Sequence, residues 1–362
     1  MKKILFRKLL LDYMSFFLIA LLSSSIIIWV FQAVNFLDIM IEDGRDYIVY
    51  INYSLLNFPK ILSKLFPFVI FFSLFYVTLK YEANNELMIF WNFGINKIQL
   101  INFIFKISIF LMFIQIMLTS IIVPKSQDLA RSFLRTSTIN FFDNFIKPQR
   151  FNDTIKGVTI YSGKKDKKGN LYNLYIKKEI ADKEFQITYA KKGTFKKLDK
   201  MHVLVLHDGQ TITGKNEKIT NFSFKKSDFP LKNLETNTTT YKKTQELSSF
   251  DLFKCIYAIY NSNTKNTNIE NCLHKNLDNI LKELHKRFFI PLYVPLLMLV
   301  PFLLITSSKE NLNYAKIRLL TFLIGLLIII FSETTIRLIS ETLMNNYFII
   351  VVPIVSILIL YL

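Results

Sequence analysis

The residues whose types and spacing could do chemistry point to holding an anion rather than to making or breaking bonds. Lys60 and Lys64 stand four apart, so a helix would carry both ammonium groups on one face. Arg45 precedes them in a loop, and Arg337 stands four residues after Glu333, a spacing that gives an ion pair along a helix. The histidines His202, His207, His274 and His285 lack metal-ligand spacing, and Cys272 with His274 is too small a set for zinc, so no metal is expected. No GxxxxGK[ST] loop is present to cradle ATP phosphates, and no HExxH pattern is present to build a hydrolytic centre. No catalytic residue and no bound cofactor are therefore expected. Cys255 and Cys272 cannot make a disulfide framework; two solitary thiols is the simpler reading, with pairing the alternative if both face an oxidising compartment.

The elements that must position these groups are membrane helices. A chain of 362 residues with 51% hydrophobic content, 35 phenylalanines and a mean hydropathy of +0.31 is too apolar, in blocks too long, for an ordinary soluble protein. Crossing about 30 Å of hydrocarbon takes roughly 20 apolar residues as a helix. Six stretches qualify: Tyr13 to Phe36, Ile61 to Leu79, Leu100 to Val123, Phe288 to Ile305, Ile317 to Phe331, and Tyr347 to the end. The first follows MKKILFRK but is too long for a secretory signal and has no small-x-small cleavage site, so it is expected as a retained helix. Lys2, Lys3, Arg7, Lys8, Lys80, Lys97, Lys309, Lys316 and Arg318 gather on the side of the N-terminus, and the loop after the first span carries only Arg45. The positive-inside rule then makes both termini cytoplasmic and puts the long insertion on the other side. The expected layout is residues 1–123 as spans one to three, 124–287 as the insertion, and 288–362 as spans four to six.

The insertion carries 31 Lys and Arg against 17 Asp and Glu, most of the chain's net charge of +18. This charge reads either as attraction to an anionic partner such as a phosphorylated lipid or as compositional drift in a chain rich in Lys, Asn, Ile and Phe. GVTIYS, LYNLYIKK, EFQITYA, GTFKK, HVLVL and ITNFSF each read as strands, and KKDKKGN and HDGQ as hairpin turns, with Asp208-Gly209 the clearest. An all-β sandwich or incompletely closed barrel of six to nine strands is expected. From Ser248 to Arg287 helical periodicity returns, and these segments are expected as surface helices at the membrane boundary.

Between the second and third spans lies YEANNELMIFWNFGINKIQL, where a loop should be polar but Leu87, Met88, Phe90 and Trp91 cluster between Glu86 and Gly94. A short helix at 85–96 exposing such residues fits either a groove in a partner protein or the lipid surface. Here the chain resembles the LptF/LptG family, the permease subunits of the lipopolysaccharide exporter. The segment NELMIFWNFGIN is similar to the family's coupling helix, and Pro59, Pro67, VPKSQDLA after the third span and LHKRFFIPLYVPLLML at the fourth also fit. FQAVNFLDIMIEDG and LYNLYIKKE look more like LptF than LptG. The chain departs from the family in its very lysine-rich β-domain and in having almost nothing beyond the sixth span.

The resemblance implies a membrane α-helical bundle of six transmembrane helices with an inserted, jellyroll-like, periplasmic all-β domain, in the inner membrane. It implies pairing with the paralogous permease, docking of Glu86, Leu87, Met88, Phe90, Trp91 and Gly94 on an LptB ATPase dimer that hydrolyses the ATP, and passage of lipopolysaccharide to LptC and a periplasmic bridge. No nucleic-acid partner is implied. Arg45, Lys60, Lys64 and Arg337 become candidates for the lipid's phosphates, with snorkelling to ordinary headgroups the alternative for each. A competing reading is a membrane-anchored scaffold or receptor with a ligand-binding β-domain, which has no use for an apolar cytoplasmic helix. Secondary transport is disfavoured, because no broken helix with a midplane charge is evident.

Overall fold

Long apolar runs become long helices, because a segment in lipid must pair its backbone groups within itself. In the computed structural model the described residues are 2–41, 47–136, 146, 148–155, 158–166, 169–181, 184–198, 201–215, 218–230, 242–261, 269–306, 309, 312–340 and 343–361. The helices are α1 (Lys2–Ile41), α2 (Tyr47–Ala83), the short α3 (Glu86–Asn92) and α4 (Lys97–Met117), which continues through a π-helical turn, Leu118–Ile122, into α5 (Val123–Thr136). After the strands come α6 (Ser249–Tyr260), α7 (Leu277–Leu284), a second π-helical turn His285–Phe289, α8 (Tyr293–Leu299), α9 (Leu303–Thr306), α10 (Tyr314–Leu338) and α11 (Leu343–Tyr361). Among the described residues five helical stretches are long and apolar enough to cross a bilayer, and a shorter apolar stretch, Asn346–Tyr361, lies where the sixth span is expected. With 40 residues α1 is about 60 Å long, twice the hydrocarbon thickness, so part of it extends beyond the bilayer.

The fourth span is continuous but locally tightened: 3-10 turns at Ile290–Leu292 and Val300–Phe302 flank α8, where Pro291 and Pro301 remove backbone donors. No charged residue occupies the stretch from 290 to 306, so it lacks the midplane charge of a transporter site.

The chain divides into two compact units, one of residues 1–32, 55–130 and 241–362, the other of 33–54 and 131–240. In the first, Tyr13, Phe17, Phe66, Ile70, Ile104 and Met298 centre the main apolar core. A separate cluster joins α6 to α7 through Leu252, Ile259, Leu277, Ile280 and Leu284. Cys255 and Cys272 lie inside this cluster with their Cα atoms 5.7 Å apart and are joined as a disulfide. The expectation of two solitary thiols is thus corrected: folding of α6 onto the segment before α7 brings together residues that spacing alone left apart.

The second unit holds six antiparallel strands in sequential order: β1 (Phe151–Ile155), β2 (Val158–Lys165), β3 (Leu171–Ala181), β4 (Glu184–Leu198), β5 (Met201–Lys215) and β6 (Lys218–Pro230). This is a meander, without the crossovers of a jellyroll among the described residues. EFQITYA and GTFKK are one strand, β4, and HDGQ is no hairpin turn, because β5 runs straight through it. Asp208 does take a left-handed φ of 50°, and so does Asn173 on β3 at 52°. Both lie in one row across the sheet, with pairing recorded on either side of it: Ser162↔Leu174 and Lys164↔Tyr172, Ala190↔Gly209 and Lys192↔His207. The row creases the sheet and resets its alternation, so Leu171 and Leu174, three apart, are both buried. Gly193 makes room for the second of them, since a Cβ there would lie 2.2 Å from Leu174 Cδ1.

Candidate functional site

The α3 segment is a seven-residue helix, too short to hold itself, and the structure fixes it at every side. Its end is closed by the Gly94 N–H donating to Trp91 O at 2.9 Å and the Ile95 N–H donating to Phe90 O at 3.0 Å. This is a Schellman closure, which needs a left-handed residue, and Gly94 supplies it with φ 68°. Phe90 and Ile95, the apolar pair of that motif, are both buried in the main core with Leu87. The Phe90 ring packs edge-on to Phe6 of α1 at 6.2 Å.

Polar clamps complete the fixing. Lys2 Nζ donates to Gly94 O at 2.8 Å, Lys309 Nζ to Ala83 O at 3.0 Å, and Lys8 pairs with Glu86 at 3.1 Å. Tyr314 donates its hydroxyl proton to Glu82, and Asn84 donates to Glu86 at 3.2 Å. Partial burial pushes the Glu86 carboxyl up, but the hydrogen bonds from Asn84 and Lys8, with the Lys8 charge, outweigh it and hold the group below its ordinary value.

The six residues singled out from the sequence thus divide. Leu87 and Phe90 face inward as anchors, Trp91 is partly buried against the same core, Glu86 is clamped, and Gly94 closes the helix. Met88 alone of them is fully outward, at 60% exposed, and it stands with three residues the sequence reading missed: Ile89, Phe93 and Ile98. Ile89 and Phe93 are four apart, but a helix of seven residues is too short for that spacing alone to define its outer face. What results is an apolar patch anchored from beneath by Leu87 and Phe90, suited to insertion into a groove.

The cation candidates are scattered. Arg45 lies outside the described residues. Arg337 is exposed and forms no ion pair with Glu333 among the described residues, correcting the expected pairing. Lys60 is half-buried on α2, whereas Lys64 borders a polar cleft of about 660 Å³. Lys243, Lys282, Lys286, Glu283 and Glu333 line the same cleft, with Asn276 and Asn279. Lys282 is held by Asp278 at 2.6 Å and Lys286 by Glu283 at 3.8 Å. The cleft's wall is set by Arg287, which is 1% exposed and donates to Gln245 O, Leu247 O and Glu283. Four lysines and two carboxylates thus line the cleft, with two of the lysines already held in ion pairs. Lys282 and Lys286 were missed because NLDNILKELHKR reads as an ordinary amphipathic helix, and Lys243 because it lies in YKKTQELSS, far from them in the chain.

Comparison with known proteins matches residues 7–362 to the family model described as lipopolysaccharide export system permease LptF/LptG. The chain is also 24% identical over 315 residues to the uncharacterized protein RP871 of Rickettsia prowazekii (strain Madrid E), covering 85% of this chain and 84% of that one. With nearly its whole length matched and its apolar helices in place, the chain belongs to the LptF/LptG family of lipopolysaccharide export permeases, multi-pass proteins of the inner membrane.

Proposed function

We propose that this chain is the LptF-type permease subunit of an ATP-driven exporter that lifts lipopolysaccharide from the outer leaflet of the inner membrane. The carrying observation is the construction of α3. Leu87, Phe90 and Ile95 are sunk in the main core while Met88, Ile89 and Phe93 face out, so a partner that takes hold of the apolar outer face can act on the bundle through the buried side chains. In this reading an LptB dimer receives that face, and ATP-driven closure moves α3 and the bundle attached to it. The paralogous LptG-type subunit completes the lipid cavity, and the sheet unit hands acyl chains to LptC and the bridge. Both termini are cytoplasmic and the sheet is periplasmic, as the loop charges favour. FQAVNFLDIMIEDG and LYNLYIKKE support LptF over LptG. The lysine-bordered cleft around Lys64 serves the lipid's phosphates, for which short charge-assisted hydrogen bonds from ammonium groups are suited.

The test is purification of the complex with Met88→Asp and Phe93→Asp. A charge on each outward position leaves the buried anchors alone, so the chain should fold and keep its paralogue while losing the ATPase. Retention of a fully stimulated ATPase by the double variant would sink the coupling role and favour the scaffold reading.

A further inference from the structure

The helix α6 is apolar on two opposite faces. Leu252, Cys255 and Ile259 are buried against α7. On the other side Phe250, Phe253, Tyr257 and Tyr260 are 68%, 52%, 72% and 53% exposed. Their spacing of three, four and three makes one continuous stripe, so what covers this stripe is not the rest of the described chain. A helix with a second apolar face, and with Asp251 and Lys254 between the two, suits a boundary between an apolar and a polar surrounding.

Two contacts fix the level at which the stripe lies. At the start of α6, Ser249 Oγ donates to Ser120 O at 2.8 Å, within the π-helical turn that ends the third span. One turn on, the Phe253 ring sits 5.7 Å from Phe288, where the apolar run of the fourth span begins. The limits expected from the sequence for these two spans, Val123 and Phe288, fall at this level. The exposed Phe113, Met117, Ile121 and Ile122 of the third span lead up to the same point, so the aromatic stripe continues a lipid-facing surface. Its chemistry suits that depth: tyrosines and phenylalanines carry an apolar body with a wet edge, and the Lys254 ammonium lies 4.5 Å over the Phe250 ring beside the stripe.

We propose that α6 is an interfacial helix, lying in the bilayer surface with its aromatic stripe at the boundary between headgroups and acyl chains, and that its occupant is bilayer lipid. The Cys255–Cys272 disulfide on its inner face ties this lipid-seated helix to the segment that leads into α7, which carries Lys282. A seat for α6 in the bilayer surface would thus be linked through the disulfide to the segment that leads to Lys282. None of this depends on the identity of the exported lipid.

The test uses the full chain, with whatever subunits it carries, in nanodiscs made of brominated phosphatidylcholines. Tyr257→Trp is placed in a Trp29→Phe, Trp91→Phe background so that it is the chain's only indole, and its emission is read as the difference from the same complex carrying that background alone; Phe253→Trp is the second position should the first not fold. Bromines near the carbonyl end of the acyl chains should remove most of the emission, and bromines near the chain terminus should remove less. Stronger quenching by the deep bromines would overturn an interfacial seat. So would emission that neither lipid changes: if iodide then quenches it, the stripe faces water, and if iodide does not, another protein covers it.

Discussion

The short helices α3 and α6 flank opposite ends of the third span, and each presents an apolar face that the described chain leaves uncovered. They are fastened by different means. The α3 segment is held by Lys2, Lys8 and Lys309 reaching to carbonyls and a carboxylate, with the Lys8 side chain 60% exposed, so each contact is worth about 0–1 kcal/mol in water. Its deep anchors are Leu87, Phe90 and Ile95. In contrast, α6 is fastened by a disulfide and by its neighbour Arg287, whose guanidinium is fully buried and bonded to Leu247 O and Ser249 Oγ. The difference teaches which end is built to yield. A helix pinned by a few apolar side chains and exposed ion contacts can shift with a partner, whereas one locked by covalent and buried polar links holds its place.

The largest expected effect breaks the α3 side. Phe90→Ala removes the anchor that fills the core beneath the helix and should cost about 3–5 kcal/mol locally. Red-shifted Trp91 emission and faster proteolysis between 85 and 96 would report it, with the rest of the bundle unchanged. On the α6 side, replacing Cys255 and Cys272 together by Ser opens a link spanning 17 residues, for which chain entropy gives roughly 3 kcal/mol. Thermal unfolding should show the loss, and reducing agent should reproduce it in the wild type. If reduction left the unfolding temperature unchanged, the contrast between a yielding and a locked helix would lose its firmer half.

What the sequence made legible follows from length scales. Long apolar blocks placed five of the expected spans among the described residues, and an apolar cluster in a short loop located α3. The inward or outward facing of Leu87 and Met88 was not legible, because two turns carry too little periodicity to define a face. Spacing could not reveal that Cys255 and Cys272 meet, since that depends on how α6 folds back. Asp208-Gly209 misled for a physical reason: tolerance of a left-handed φ serves a crease within a strand as well as a hairpin turn, and only the pairing of β5 through that point distinguishes them. The lysines of the cleft come from segments far apart in the chain, which no local pattern unites.

Smaller effects sharpen the comparison. Gly94→Ala puts a Cβ on a residue at φ 68°, where space is open but the conformation is not favoured, and should cost about 1–2 kcal/mol. A loss of ATPase stimulation with no change in complex assembly would place the closure of α3 in coupling rather than in folding. Glu86→Gln should cost under about 1 kcal/mol because the Lys8 contact is partly solvated. Since the folded state holds the Glu86 carboxyl below its ordinary value of 4.5, the contact's contribution is complete above that pH and is lost as pH falls through the lower folded value. Trp91 emission followed from neutral to acidic pH should move in the wild type at the acid end and not in Glu86→Gln.

The most direct test of the coupling role is photo-crosslinking from single positions of α3 in living cells. A benzophenone side chain at Met88 or at Phe93 should yield an adduct with the cytoplasmic ATPase, and one at Leu87, which faces the core, should not. Absence of the adduct from both outward positions, in cells where the exporter assembles, would contradict the account.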